Sequence, residues 1–435
     1  MVAEAIIKRL NSRGFIAYFA GGCVRDMIMK RKPDDYDIAT SARPDETRRL
    51  FAKTLAIGQQ FGVILILEGP FEFEVATFRR EGPYLDGRHP TNVRFTDARE
   101  DALRRDFTVN ALFYDLRQRE VIDYVDGQKD IEQKLIRSVG SPYKRFEEDK
   151  LRMLRAVRFS CKLDFQIEPE TYQAIQDTCA AIHQVSIERI RDELIKICTS
   201  HGAGRALELL LETGLLKELL PEVCALKGVE QPREFHPEGD VFEHTRRMMD
   251  LLENPNPVLA FATLLHDIAK PATFQQSDRI RFNEHDKRGA EMAEHILRRL
   301  RFSNRDIETV SIMIANHMRF MHVKQMKPTR LEHFMLRPTF PDELVMHRID
   351  CLASHGDLSV FEFLTEKYKE LQARPPAAPP VLSGRDLLGA GYTQGPYMGE
   401  VLRQAEEAYL EGIVQTKEEA LRWVKEHFPP LTNDT

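Results

Sequence analysis

Hydrophobic periodicity changes character once along this chain, near residue 130. Before that point, short apolar runs of strand length lie between turn signals. Phe15-Ile16-Ala17-Tyr18-Phe19-Ala20 is one, Gly62 to Leu67 bounded by Gly69-Pro70 is another, and Val121 to Val125 ended by Asp126-Gly127 is a third. Phe71 to Ala76 alternates apolar and acidic residues with period two, as a strand with one polar face does. Beyond residue 130, apolar residues recur at helical spacing, as in Leu151, Leu154, Val157 and in Leu207, Leu210, Leu211, Leu215. The chain is therefore expected to be α+β, a head with a mixed sheet and helices followed by an all-α remainder. Arg374 to Pro380, with four prolines, cannot continue a helix and reads as a stiff linker before a small helical tail.

Chemistry concentrates at the end of the first strand-like run. It feeds directly into Gly21-Gly22-Cys23-Val24-Arg25-Asp26, and two glycines after a strand let backbone N–H groups approach an anion. Asp35 and Asp37 follow, and on a strand that spacing projects both carboxylates from one face. One face can then hold two Mg²⁺ ions, the arrangement used for in-line phosphoryl chemistry. Glu72 and Glu74 share one side of a neighbouring strand, and Glu74 is the expected third acid at that metal site. A glycine pair alone would be a turn, and Asp-x-Asp alone a solvated loop. Their order and closeness favour nucleotidyl transfer.

Two further motifs extend this site. Arg104-Arg105-Asp106-Phe107-Thr108-Val109-Asn110-Ala111 offers guanidinium groups for phosphate, a carboxylate for a ribose hydroxyl and an amide donor. Glu148-Asp149-Lys150-Leu151-Arg152 lies on a strongly helical segment, where Asp149 and Arg152 at i and i+3 would face the same way. Together they can read a base edge, Asp149 accepting from the exocyclic amine of cytosine or adenine and Arg152 donating to the ring nitrogen. Spacing alone favours the plainer reading, a surface ion pair.

These motifs, with Asp126-Gly127 and Ser186-x-Glu188-Arg189-Ile190, resemble the class II tRNA nucleotidyltransferase and bacterial poly(A) polymerase family over roughly the first half of the chain. The resemblance implies a polymerase-beta-like nucleotidyltransferase head over residues 1–130. It further implies a helical neck over 131–200 that selects the nucleotide and binds RNA, a helical body over 201–373, and the linker and tail over 374–435. Asp35 and Asp37 would be the catalytic metal ligands; Gly21, Gly22 and Arg25 would hold the triphosphate; Arg105 and Asp106 the phosphate and ribose; Asp149 and Arg152 the base; Asn110 would also be nucleotide-binding. Arg155 and Arg158 complete the implied nucleotide-binding set. The implied partners are tRNA, through its acceptor arm and 3′ end, with ATP and CTP. No membrane and no stable protein partner is implied. The implied reaction is attack of an RNA 3′-hydroxyl on the α-phosphate of CTP or ATP, releasing pyrophosphate.

Family members add CCA, CC, the terminal A alone, or poly(A). Gly58-Gln59-Gln60-Phe61-Gly62 lacks the two basic residues that bacterial poly(A) polymerases carry there, which argues against that branch. The stretch Arg79 to Pro90 is full length where CC-only members shorten a loop, which favours addition of the final A. Asn110 to Asp115 bears some likeness to A-adding members.

A second constellation is independent of the first. Leu264-Leu265-His266-Asp267-Ile268-Ala269-Lys270 sets a His-Asp pair in an apolar helix, where an unpaired carboxylate would be costly and a metal explains the burial. Ten of the fourteen histidines fall between His236 and His355, denser than a scatter would give. His244 and Asp350 would complete a mononuclear set with His266-Asp267, and His285 and His317 could extend it to two metals. This order resembles the HD-superfamily metal-dependent phosphohydrolases, implying hydrolysis of phosphomonoesters or cyclic phosphodiesters with Mg²⁺, Mn²⁺, Ni²⁺ or Fe²⁺. A metal that only stabilises the helical body is the alternative.

A formal charge of −6 does not advertise nucleic-acid binding. RNA contact must come from local basic patches such as Lys30-Arg31-Lys32, Arg79-Arg80, Arg104-Arg105 or Arg319 to Arg330. Six scattered cysteines without a Cys-x-x-Cys pair suit reduced thiols in a cytoplasmic enzyme, and the N-terminus shows no basic region followed by an apolar core. Two other function classes remain in view. The phosphohydrolase domain could carry the main activity with the head as an RNA-binding module, or the chain could be a non-catalytic RNA scaffold.

Overall fold

The computed structural model describes residues 2–58, 62–82, 93–232, 239–276, 280–373 and 381–430. By compactness the chain forms two units, residues 1–318 with 345–357, and residues 319–344 with 358–435.

In the first unit, nine strands precede the long helices: β1 (Ala17–Ala20), β2 (Ile38–Thr40), β3 (Thr54–Gly58), β4 (Val63–Glu68), β5 (Phe71–Thr77), β6 (Arg79–Glu81), β7 (Val93–Phe95), β8 (Phe113–Asp115) and β9 (Glu120–Ile122). Seven of them form one sheet in the order β3-β4-β5-β2-β1-β8-β9, and β6 pairs with β7 separately. β2 and β5 run parallel, with Ile38 beside Val75 and Thr40 beside Thr77, while every other pairing in the sheet is antiparallel. The sheet is thus mixed, as expected. The Val2–Ser12 helix buries Ala3, Ile6, Ile7 and Leu10, one stripe at helical spacing.

The strand expected over Val121 to Val125 stops at Ile122. The Asp123 carboxylate accepts from the N–H groups of Val125 (3.0 Å), Gly127 (3.1 Å) and Gln128 (2.9 Å), so a side chain takes the donors that a ladder would need.

Helices dominate beyond, and one continuous apolar core runs from Ile6 and Leu10 through Leu154 and Leu210 to Ile314. The Ala203–Glu212 helix crosses the Val241–Leu251 helix at Gly204, where a Cβ would lie 2.2 Å from the Arg246 carbonyl oxygen. In the second unit, Phe320, Phe334, Phe340 and Leu364 form one cluster, and Leu387, Tyr392, Val401 and Val424 another. The tail begins with the Gly384–Gly389 helix, capped reciprocally by Ser383 and Asp386, followed by helices Pro396–Leu410 and Lys417–His427. The linker expected over 374–380 lies outside the described residues. All six cysteines are free, and among the described residues no helix is long and apolar enough to cross a membrane.

Candidate active site and metal centre

A cleft of about 570 Å³ opens where β1 ends. Gly21, with φ +74°, donates its N–H to the Leu112 carbonyl at 2.9 Å. A Cβ there would stand 3.0 Å from Arg105 Nη1 and 4.0 Å from Asp37 Oδ2, so an arginine and an acid both close on the glycine turn. Gly22 opens the Gly22–Ile28 helix beside Arg25.

Arg25 is buried and held by Asp26 at 2.9 Å and by Asn110 Oδ1 at 2.6 Å. Asp106 accepts from Arg155 Nε and Nη2 at 2.8 and 2.5 Å and from the Phe107 N–H at 2.8 Å. Burial works to raise the Asp106 pKa, but Arg155, Arg152 and the Phe107 N–H together outweigh it and hold the carboxyl below the ordinary range. All five of these cleft residues, Gly21, Gly22, Arg25, Asp106 and Asn110, were expected from the motifs. Asn110→Ala removes the acceptor of a buried guanidinium and is expected to destabilise by about 2 kcal/mol. The nucleotide KM should rise with it, read by thermal unfolding and steady-state kinetics.

Asp35 and Asp37 both line the cleft but stand ahead of β2 rather than on it. β1 gives way to the glycine turn, so the ladder ends at Phe19 beside Ile38, and the Asp37 carbonyl accepts from the Ala20 N–H at 3.0 Å and from the Cys23 thiol at 3.8 Å. Ile38 beside Val75 brings Glu74 opposite Asp37, although Glu74 does not line the cleft. The Asp37 carboxyl is pushed up to about 6, by burial first and then by Asp35 and Glu74, with Arg105 opposing. A buried carboxyl raised by two neighbouring acids, with too little positive charge to offset them, belongs to a donor set suited to divalent cations. A proton competes for the same oxygen. Apparent Mg²⁺ affinity is therefore expected to fall about tenfold per unit as pH drops below 6, checked by Mg²⁺ titration of activity on either side of that value.

The base-reading pair differs from expectation. Asp149 is not in one helix with Arg152. The Pro142–Glu148 helix ends there and the Leu151–Leu163 helix starts two residues later, because extended Asp149 turns its Oδ1 back to the Leu151 N–H at 3.1 Å. Nor do the two pair: Asp149 takes Arg189 at 2.8 Å, and Arg152 takes Glu148 at 2.5 Å. Asp149, Arg152, Arg155 and Arg189 nevertheless all line the cleft. Arg158 does not; its guanidinium is on Glu193 at 2.5 Å and over the Phe159 ring. Sequence reasoning left Lys162, Phe159 and Arg189 unassigned. Arg189 stood in a quoted motif, while nothing local marks Lys162, whose Nζ reaches Asp34 at 3.4 Å.

The second constellation converges in the first unit. Its six residues form two groups, His244, His266 and Asp350, then Asp267, His285 and His317, with the ligating atoms of each group within 4.8 Å of one another. Asp267 thus groups with His285 and His317, not with the mononuclear set expected for it. The two groups adjoin, since His266 Nε2 is 3.1 Å from Asp267 Oδ2. His266, His285 and His317 each direct Nδ1 at a carbonyl three residues back, of Thr263, Phe282 and Ile314, at 2.8, 2.8 and 2.6 Å. A carbonyl only accepts, so each Nδ1 carries a proton and each ring turns its Nε2 toward the centre. Burial, then His266 and His285, push the His317 pKa down to about 4, and burial also lowers His285. Neutral imidazoles and carboxylates in two adjoining triads fit a divalent metal.

A glycine turn, a pair of acids and several guanidiniums thus share one cleft on a mixed sheet, and the chain is a nucleotidyltransferase joined to an HD domain. Residues 17–137 match the family model described as Poly A polymerase head domain, residues 164–227 the one described as probable RNA and SrmB-binding site of polymerase A, and residues 241–354 the HD domain. A CCA-adding enzyme of Lactobacillus johnsonii is 33% identical over 425 residues, 96% of this chain and 95% of that protein. One of Bacillus subtilis is 45% identical over 218 residues, covering 50% of this chain and 54% of that protein. Among solved structures, the Bacillus stearothermophilus CCA-adding enzyme in complex with CTP superposes with a TM-score of 0.75 at 28% identity, covering 98% of this chain and 96% of that one. The chain belongs to the CCA-adding enzyme family. Both its transferase head and its HD domain imply dependence on divalent metal.

Proposed function

We propose that this chain is a template-independent tRNA nucleotidyltransferase that builds the CCA end, or at least its terminal A, from CTP and ATP with release of pyrophosphate. The observation that carries the reading is the single cleft in which Asp35 and Asp37 face the Gly21-Gly22 turn and Arg105. Asp35, Asp37 and Glu74 would hold Mg²⁺, which when bound activates an attacking hydroxyl and neutralises the leaving phosphates. The glycine turn, Arg25 and Arg105 receive the triphosphate, Asp106 and Asn110 the sugar side, and Asp149 and Arg152 the base once they exchange their present partners. Residues 1–130 serve as head, 131–200 as neck, 201–373 as HD body and 374–435 as linker and tail. The names of the relatives and the CTP complex of the Bacillus stearothermophilus enzyme support this reading. Free cysteines and the absence of a membrane-length helix among the described residues accord with a cytoplasmic setting. Residues 59–61 and 83–90, within two of the stretches that bear on the distinction between products, lie outside the described residues.

The test is incorporation by purified protein with Mg²⁺ on tRNA transcripts ending at the discriminator base, at C and at CC, with CTP and ATP separately and together. Growth of the bare end to CCA is expected. Extension of the CC end alone would make it an A-adding enzyme, long A tails a poly(A) polymerase, and no extension would overturn the reading.

RNA contact is assigned to the second unit as well. The basic stretch from Arg319 lines a cavity of about 690 Å³ with Arg319, Lys327, Arg330 and Arg337, and its lining includes no acid. Arg330→Ala is expected to weaken tRNA binding and to lower the salt slope of log K by about 1, read by filter binding across ionic strengths.

A second activity is favoured by the three histidines that turn Nε2 inward. The HD site would hold Mg²⁺, Mn²⁺, Ni²⁺ or Fe²⁺ and hydrolyse phosphomonoesters or cyclic phosphodiesters. Hydrolysis that depends on one of these metals and is lost in His266→Ala, with CTP incorporation retained, is the expected result. No hydrolysis with any of the four would leave the centre structural.

A further inference from the structure

Arg104 and Arg105 are consecutive, directly after the Ala98–Leu103 helix, and both reach the same cleft. One residue gathers them. Asp101, 1% exposed, lies on the Ala98–Leu103 helix three and four positions before them. Its Oδ1 accepts from Arg104 Nε at 2.9 Å and from Nη2 at 2.8 Å. Its Oδ2 accepts from Arg105 Nε at 3.3 Å and Nη2 at 3.2 Å. Oδ1 also receives the Arg79 backbone N–H at 3.2 Å, which fixes the carboxylate against the start of β6. Each oxygen thus serves one guanidinium, a geometry that a shorter or neutral side chain cannot reproduce.

The consequence falls on the glycine turn. Arg105 Nη1 donates to the Asn110 carbonyl at 3.0 Å and lies 3.0 Å from where a Gly21 Cβ would be. With Nε and Nη2 drawn back to Asp101, the guanidinium plane is set, and the second N–H of each terminal nitrogen is left for an anion entering over Gly21-Gly22. The Asp101 carboxylate itself lines no part of the cleft.

We propose that Asp101 is a positioning residue for the nucleotide polyphosphate, acting through the paired guanidinium groups of Arg104 and Arg105. The proposal rests on the nucleotidyltransferase reading, which wild-type incorporation tests separately.

Asp101→Asn keeps the size but loses the charge, and its amide nitrogen would face one of the two guanidiniums. The KM for CTP and ATP is expected to rise at least tenfold, with inhibition by inorganic pyrophosphate weakened in parallel and the KM for tRNA unchanged. Asp101→Glu, which restores the carboxylate one methylene further out, should recover part of the loss. In an Arg104→Gln/Arg105→Gln background, adding Asp101→Asn should shift the nucleotide KM by less than twofold, because the groups it acts through are gone.

A folded Asp101→Asn protein with unchanged nucleotide KM and pyrophosphate inhibition overturns the proposal. So does a loss that appears equally in the tRNA KM or persists in the double-variant background, since a merely structural role would give that pattern. If Asp101→Asn does not fold, Asp101→Glu decides: a nucleotide KM raised at least threefold with tRNA KM unchanged supports the proposal, and an unchanged nucleotide KM ends it.

Discussion

Asp37→Asn is expected to lower nucleotide incorporation by on the order of 10³-fold or more while raising, not lowering, the thermal stability of the metal-free protein. The loss follows from removing a cation ligand whose contribution to the transition state is several kcal/mol, and about 1.4 kcal/mol is tenfold. The gain follows from linkage. The folded-state pKa of Asp37 is raised to about 6 by burial and by Asp35 and Glu74, so this group favours folding below its unfolded value and that contribution is lost as pH rises through 6. At neutral pH the ionised group therefore opposes folding, and replacing it by a neutral isostere relieves on the order of 1–3 kcal/mol. Melting with a chelator at neutral pH should show the variant above wild type, and well below pH 4 the difference should vanish. Retained incorporation, or a variant less stable at neutral pH, would contradict the role given to these acids.

The second large effect is expected at Gly127. It opens the Gly127–Glu132 helix, and a Cβ there would meet the Thr108 carbonyl oxygen at 2.3 Å, its carbon at 2.9 Å and Leu112 Cδ2 at 3.0 Å. Backbone cannot rotate away as a side-chain tip can. Thr108 is further tied through its hydroxyl to Asp130 at 2.6 Å, so the whole turn that carries Asn110 must shift. Gly127→Ala should cost about 3 kcal/mol, the upper end for overpacking, and incorporation should fall with it. Gly140→Ala is the comparison: its φ is +71° but nothing lies within 4 Å of the added carbon, so about 1 kcal/mol is expected. Melting temperature and incorporation, measured on both variants, separate collision from backbone strain.

What could be read from the sequence was what local spacing encodes. Gly21-Gly22 and Asp35-x-Asp37 declared themselves because turn chemistry and acid spacing are short-range, and β4 and β5 because their apolar patterns are. The partners of those residues were not legible. Asp149 lies on a helical pattern, yet its own carboxylate breaks the helix and its ion pair comes from Arg189, forty positions on. Arg158 sits at helical spacing with Arg155, yet its guanidinium is held by Glu193 and the Phe159 ring and does not line the cleft. In the HD centre the histidines and acids were recognisable as ligand types, but which three converge is fixed by how the helices pack.

β2, the short strand behind the acidic pair, runs parallel to β5 on one side and antiparallel to β1 on the other. β1 in turn is flanked on its far side by β8. A ribosome delivers these pieces in a different order from the one in which they lie side by side. When Asp35 and Asp37 emerge, the strand that brings Glu74 opposite them is still unmade, and the turn that presents Asn110 and the flanking strand β8 come later still. Non-local pairing of this kind is slow and cannot begin before its last member exists. The transferase centre is consequently a late product of biosynthesis: a nascent chain that has passed Glu74 but not yet reached Asp115 would contain all three acids proposed to hold the metal and still have no site to put them in.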